Sequence, residues 1–111
     1  MIYRGNVKAF GWFKGLPYRD VEELCIEDFD EYRTYKNKIS KDSVIKHIES
    51  MDPALATCIS KDIFTGEYIE AGMYVDGDFR FPTDFLHYYK RHDIGIPYEY
   101  EDYLVNQLHI K

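Results

Sequence analysis

Apolar and polar residues alternate over short stretches of this chain, and glycine, proline and Asp-Gly signals separate these stretches. Period-two alternation is typical of half-buried strands, whereas helices repeat every 3.6 residues. On this pattern we assign strands to residues 1–4, 7–18, 21–29, 68–75 and 79–81. The chain is therefore predicted to be rich in short strands.

The stretch at 51–75 organises the rest of the chain. Residues 54–59 are apolar and are expected to be buried, residues 62–66 form a turn, and a strand then enters the core. Four side chains are expected to meet in that core: Trp12, Phe64, Ile69 and Val75.

An Asp-Gly pair gives the clearest hairpin signal in the chain. The Asp76-Gly77 pair tolerates the positive φ angles of a tight turn, so we expect a direct turn into the strand at 79–81. Gly77 is therefore predicted to adopt a positive φ, and Gly72 is predicted to allow a bend or a close approach.

Two segments are candidates for helices. Residues 40–51 carry Val44, Ile45, Ile48 and Met51 at helical spacing, but their β-branched residues also fit a strand. The spacing slightly favours a helix, with Ser40 or Asp42 as its cap. A second short helix is predicted at 85–91, capped by Thr83-Asp84. Its inner face is expected to hold Phe85, Leu86 and Tyr89.

Opposite charges dominate two consecutive segments. Residues 22–31 are acidic, and residues 33–46 are mostly basic. We expect the two to pair as adjacent antiparallel strands, because opposite charges across a ladder are favourable. The alternative is a charged binding face. Together the elements predict one domain over 1–111 that is mainly β, a small barrel or a strongly bent antiparallel sheet with one or two short helices.

Composition narrows the choice of partner and compartment. The net charge of −6 argues against binding to a nucleic-acid backbone. No apolar run is long enough to span a membrane, and the N-terminus lacks a signal core, so we expect a soluble, cytoplasmic protein. Cys25 and Cys58 follow no metal or redox spacing, and a reduced pair is favoured over a disulfide.

Few residues suggest chemistry. Asp76 and Asp78 are candidate cation ligands, although an Asp-Gly-Asp run is more often a turn. His87, His92 and Asp93 offer a second candidate set, but the spacing of the two histidines suits a shared metal poorly. No nucleophile motif or phosphate loop is present in the sequence, so we expect no catalytic activity, no cofactor and no metal.

The acidic, tyrosine-rich stretch at 97–104 is the best candidate for an interface. Tyrosines beside acids offer amphipathic contact area at low entropic cost, and Pro97 is expected to keep the stretch extended. The predicted protein contacts are Tyr98, Glu99, Tyr100 and Tyr103. The same stretch, as a tyrosine-lined sheet edge, also suits a homo-oligomer. The competing interpretation is that these tyrosines only cover the core.

Three blocks of residues resemble the YopX family of small phage and prophage proteins. The first block comprises Tyr3-Arg4-Gly5, Gly11-Trp12-Phe13 and Gly15. The second comprises Asp52-Pro53, Asp62, Gly66, Ile69, Gly72 and Val75. The third comprises Ile94-Gly95, Tyr98-Glu99 and Leu104. The chain departs from the family pattern at Ala71, Met73, Pro97 and Asp102, and its turn at 62–66 is one residue longer than usual.

The resemblance implies a mainly β fold in a family with no settled activity and no catalytic residues to carry over. It also implies a strand at 46–51, against the helical spacing. We therefore expect an accessory protein, encoded by a phage or an integrated element, that binds another protein. The alternative is an acidic immunity protein that masks the basic active site of a nuclease toxin.

Overall fold

A single sheet forms the centre of the molecule. The computed structural model describes residues 1–18 and 22–111, and their side chains except those of residues 22 and 55–58. The strands are β1 (Ile2–Arg4), β2 (Val7–Ala9), β3 (Leu55–Lys61), β4 (Tyr68–Asp76) and β5 (Phe79–Pro82). They lie in the order β1-β2-β5-β4-β3, and β2 and β5 run parallel while the other pairs are antiparallel. The sheet is open and mixed, so the prediction of a barrel is wrong.

Helical segments occupy more of the chain than the strand pattern predicted. The helices are α1 (Lys41–Glu49), α2 (Thr83–Arg91) and α3 (Tyr98–Asp102), joined by 3-10 helices at Glu22–Leu24 and Phe29–Thr34 and a π-helical turn at Tyr103–Gln107. The fold is therefore mixed α/β and not mainly β. Short aromatic stretches misled the prediction, because tyrosine and phenylalanine pack equally well on the buried side of a short helix.

The ambiguous stretch at 40–51 is a helix. The side chain of Ser40 accepts a hydrogen bond from the Ser43 N–H at 3.4 Å, as an N-cap does. Val44 and Ile48 point into the core from one face, as the helical spacing predicted. The strand that the YopX resemblance implied at 46–51 is wrong here, because α1 continues to Glu49.

From residue 22 to residue 46 the two oppositely charged segments do not form paired strands. The acidic stretch from residue 22 onward forms the two 3-10 helices, and Asp28 caps the second by accepting from the Asp30 N–H at 3.0 Å. Arg33 pairs with Asp30 one turn away at 3.0 Å, so these charges neutralise each other locally. Residues 19–21, which belong to the predicted strand, lie outside the described residues.

The strand predicted at 7–18 ends early. Gly11 and Gly15 have φ angles of 86° and 94°, which an extended ladder does not accommodate. Only Phe13 returns to pairing, through an isolated parallel bridge with Glu27. The chain between these points brings Phe10, Trp12 and Phe13 into the core.

The core includes buried side chains of the sheet, of the three α-helices and of the loop that follows β2. Trp12 and Ile69 are buried as predicted, but Phe64 is 53 % exposed and Val75 is 41 % exposed. Phe64 lies in the β3–β4 turn and packs from outside against Phe29. Val75 points away from its buried neighbour Asp76, by the alternation of a strand.

The stretch at 54–59 was predicted to be buried, but its two ends, residues 54 and 59, are exposed. Ile59 is 73 % exposed, since β3 is an edge strand with one open side. The side chains at 55–58 lie outside the description. Gly72 lies opposite the irregular register between Leu55 and Cys58, which fits the bend predicted for it.

The second predicted helix exists but begins earlier and is capped differently. Pro82 is the N-cap of α2 and makes no side-chain cap bond. The Thr83 hydroxyl instead donates to the Glu70 carbonyl of β4 at 3.1 Å. Phe85 and Tyr89 are buried as predicted, and Tyr88, which the pattern missed, is fully buried beside them.

Candidate functional site

The tyrosine-rich stretch after Pro97 is helical, so its predicted extended conformation is wrong. The Pro97 carbonyl accepts hydrogen bonds from the N–H groups of Tyr100 and Glu101, both at 3.0 Å. Proline is tolerated at a helix start, where its missing N–H has no partner to lose. Pro97 therefore starts α3 instead of preventing it.

The helix divides the four predicted contact residues between two sides. Tyr98 is 49 % exposed and Glu99 is exposed, whereas Tyr103 is half-buried. Tyr100 is fully buried, with ring centroids of Phe10 and Phe79 each 5.1 Å away. Tyr100 is a core residue, so its predicted role as a protein contact is wrong.

A buried carboxylate anchors this helix to the sheet. The Tyr100 hydroxyl and the His47 Nε2 both donate to Asp76 Oδ2 at 2.8 Å, and the Tyr103 hydroxyl donates to Oδ1 at 3.2 Å. We call these four residues the Asp76 cluster. They connect α1, the end of β4, and α3 with the π-helical turn that follows it, so Asp76 is a structural acceptor and not the cation ligand considered above.

The tyrosines of the Asp76 cluster act only as donors. Burial raises the pKa of the Tyr100 hydroxyl far above its usual range, and the neighbouring Asp76 charge raises it further. Burial and the same carboxylate also raise the pKa of Tyr103. Both phenols therefore remain protonated at physiological pH and hold their hydrogen bonds to Asp76.

A second buried carboxylate on α3 holds the loop before α1. Glu101 Oε2 accepts from the Lys38 and Ile39 N–H groups at 2.6 and 3.0 Å, and Oε1 accepts from the Asn37 side chain at 3.1 Å. Burial acts to raise the Glu101 pKa, but these hydrogen bonds outweigh it and the pKa is lowered. The sequence analysis did not identify this role, because Glu101 lies in an acidic stretch and no neighbouring residue marks it as buried.

The outer side of α3 borders a cleft of about 430 Å³, which we call the C-terminal cleft. Its other wall is the β4–β5 turn. The residues that give it its chemistry are Lys8, Asp78, Phe79, Glu99, Asp102 and Tyr103. Three carboxylates, one ammonium group and two aromatic rings thus line the cleft.

The ammonium group of Lys8 already occupies part of the C-terminal cleft. Its Nζ lies 3.6 Å from Glu99 Oε2 and 5.4 Å from the centroid of the Phe79 ring. Glu99 also accepts a hydrogen bond from the Tyr3 hydroxyl, which raises the Tyr3 pKa. Within residues 1–18 and 22–111, Asp78 and Asp102 make no ion pair. The cleft therefore keeps two uncompensated negative charges.

Tyr98, the first residue of α3, is partly committed to the fold. Its hydroxyl accepts from the Lys36 N–H at 3.0 Å, and its ring meets Tyr35 edge-on with centroids 5.2 Å apart. About half of its surface remains open to a partner. The competing interpretation of the stretch as core cover thus holds for Tyr100, and the outward residues remain contact candidates.

The histidines predicted as candidate ligands have structural neighbours. His87 Nε2 donates to Asp62 Oδ2 at 2.7 Å, and Asp62 also accepts from the N–H groups of Phe64 and Thr65. Burial acts against the charged form of Asp62, but these bonds outweigh it and its pKa is lowered. His92 packs on aromatic rings. In the described part of the chain, no three His, Cys, Asp or Glu side chains are grouped to hold a metal ion.

Comparison with known protein families, curated proteins and solved structures finds no match to this chain. None of the described helices combines the length and apolarity that crossing a membrane requires. The arrangement of charges in the C-terminal cleft is therefore the feature from which function can be argued.

Proposed function

We propose that the protein is a non-catalytic binding module that holds a basic segment of a partner protein in the C-terminal cleft. The position of Lys8 carries this proposal. Its ammonium lies against Glu99 and the Phe79 ring, so a cation already fits this carboxylate-and-aromatic surface. Asp78 and Asp102 then offer the same chemistry to a second cation from outside.

The expected affinity is modest, because the two free carboxylates are exposed. An exposed ion pair contributes about 0.2–1 kcal/mol, and two pairs together account for about a tenfold change in affinity. Tyr103 lines the cleft and adds apolar contact area. Binding of an arginine-rich or lysine-rich segment should therefore weaken strongly as the salt concentration rises.

Fluorescence anisotropy with an arginine-rich octapeptide and a neutral peptide of equal length tests this proposal. The Asp78→Asn/Asp102→Asn variant should bind the basic peptide about tenfold more weakly than the unmodified protein. The matched control is Asp52→Asn/Asp93→Asn, which removes the same charge from exposed positions outside the cleft.

Equal weakening of the two double variants would mean that only net charge attracts the peptide, and the proposal would fail. Unchanged binding by the cleft variant would also contradict it. Size-exclusion chromatography of the same variants examines the homo-oligomer alternative. If the unmodified protein is a dimer and the cleft variant is a monomer, the partner that the cleft holds is a second copy of the chain.

The YopX resemblance supports placing this module among phage or prophage accessory proteins that act in the cytoplasm. The excess of carboxylates in the cleft, with a net charge of −6, also supports the inhibitor alternative, in which the partner is a basic nuclease. That alternative requires a strongly basic nuclease encoded beside this gene. One-to-one inhibition of that nuclease, lost in the cleft variant, would favour it.

A further inference from the structure

The face of the sheet opposite the C-terminal cleft carries a second, smaller depression. Ile2, Ala9 and Arg80 are neighbours in one cross-strand row of β1, β2 and β5, and they form its floor. Lys8 and Phe79, which border the cleft, pair in the adjacent row and so point to the other face. We call the depression, of about 110 Å³, the outer-face pocket.

The pocket exists because a small residue stands between larger ones. Ala9 contributes only a methyl group to the lining, whereas Trp12, Leu24 and Met73 contribute large apolar side chains. Val75 lies on the same face and is 41 % exposed, so the apolar surface continues beyond the pocket. The volume suits one aliphatic side chain of the size of leucine or methionine.

Two guanidinium groups border this apolar pocket, in a protein whose net charge is −6. Arg80 is held in place because its NH1 donates to the carbonyls of Gly77 and Phe79 at 2.7 and 2.9 Å. Among the described residues, its Nε and second amino group make no hydrogen bond, so they remain able to bind a carboxylate. Arg4 lies 3.7 Å from Glu23, and both side chains are more than half exposed.

We propose that the outer-face pocket binds the C-terminal residue of a partner polypeptide. Its aliphatic side chain fills the space above Ala9, and its terminal carboxylate meets Arg80 and Arg4. A C-terminal residue carries an apolar group and a carboxylate on one Cα, which matches a one-residue pocket whose border is cationic. An internal acidic residue would need a second side chain to supply the apolar group. The inference is independent of the function proposed for the C-terminal cleft.

Trp12 provides the measurement, because it is the single tryptophan of the chain and lines the pocket. The probes are four acetylated tetrapeptides without aromatic residues, titrated while the Trp12 fluorescence is followed. They end in leucine with a free carboxylate, in leucine amide, in alanine with a free carboxylate, or in an amide after an internal Leu-Glu pair. Only the first should bind well, and the others should bind at least about tenfold more weakly.

Variants separate the two parts of the pocket. Ala9→Val fills the floor and should weaken the leucine peptide without a change in charge. Arg80→Gln should weaken the free acid and leave the already weak amide unchanged. Arg91→Gln, which removes the same charge from the surface of α2, should change neither. If Arg80→Gln lowers the melting temperature strongly, Arg4→Gln gives the same test at a side chain that is 63 % exposed.

Equal affinity for the free acid and the amide would overturn the proposal, because the carboxylate would then have no role. Tighter binding of the internal Leu-Glu peptide would also overturn it, since the surface would recognise acidic side chains and not a chain terminus. Absence of saturable binding by the leucine peptide would do the same.

Discussion

Asp76 and Asp78 flank the same glycine, but only Asp76 is buried. Asp76 accepts three hydrogen bonds, one from His47 on α1 and two from Tyr100 and Tyr103 near the C-terminus, whereas Asp78 lines the C-terminal cleft. The same division recurs along α3. Tyr100 is buried whereas Tyr98 is exposed, and Glu101 is buried whereas Glu99 is exposed.

This difference separates residues that maintain the fold from residues available to a partner. Hydrogen bonds stabilise a buried carboxylate, because an unpaired charge away from water is strongly unfavourable. Asp76 and Glu101 each accept three hydrogen bonds, and both oxygens of each carboxylate are engaged. Asp78 and Asp102 are exposed and can pair with a cation from a partner. Substitutions on the inner side should therefore change stability, and those on the outer side should change binding.

The largest expected effect is at Tyr100. Tyr100→Ala removes a fully buried ring and a donor to Asp76, and should lower the free energy of unfolding by about 3–5 kcal/mol. Tyr98→Ala on the same helix should cost less than about 1 kcal/mol, because half of that ring is already exposed. Urea denaturation followed by circular dichroism measures both. Similar urea midpoints for the two variants would contradict the assignment of Tyr100 to the core and Tyr98 to the surface.

Asp76 and Asp78 give the second comparison. Asp76→Asn places an amide donor opposite groups that already donate, and should cost about 2–3 kcal/mol in unfolding free energy. Asp78→Asn should change stability by no more than about 0.5 kcal/mol, as a surface substitution does. Thermal unfolding of the two variants in the same buffer gives the difference. A larger loss for Asp78→Asn would contradict the assignment of roles.

The turn between the two aspartates gives a third, smaller effect. Gly77 has a φ of 58°, and an added Cβ would lie 2.8 Å from the Tyr103 hydroxyl. Gly5 has a φ of 59° with nothing within 4 Å of an added Cβ, so Gly5→Ala measures the cost of the backbone conformation alone. Alanine in the left-handed region costs about 1–2 kcal/mol at either site. Gly77→Ala should cost about 1 kcal/mol more, because Tyr103 must move.

The smallest effect concerns acid stability. Because the pKa of Glu101 is lowered in the folded state, its contribution to stability is complete above the ordinary glutamate pKa of 4.5 and is lost as the pH falls through the folded pKa. Between about pH 6 and about pH 3.5, Glu101→Gln should therefore lose less stability than the unmodified protein. Glu99→Gln, at an exposed position of the same helix, is the control. Identical pH dependence of all three proteins would show that Glu101 is not the acid-sensitive contact.

Local signals in the sequence were sufficient for several elements. Asp76-Gly77 predicted the β4–β5 turn and the positive φ of Gly77, which only a residue without a Cβ adopts readily. The Ser40 cap and the spacing of Val44 and Ile48 predicted α1 against the strand that the family resemblance implied. Each of these features depends on residues that are close in the chain, so the sequence contains the information needed to recognise them.

Other features required contacts between distant residues. The sequence correctly placed an amphipathic, acidic segment after Pro97, but which of its tyrosines faces the core depends on Asp76 and Phe10, far away in the chain. The parallel pairing of β2 with β5 likewise has no local signal, since it joins residues some seventy positions apart. Sequence determined the turns, α1 and the charge of the cleft region. Tertiary structure decided which carboxylates are buried, because burial depends on neighbours that only the folded chain brings together.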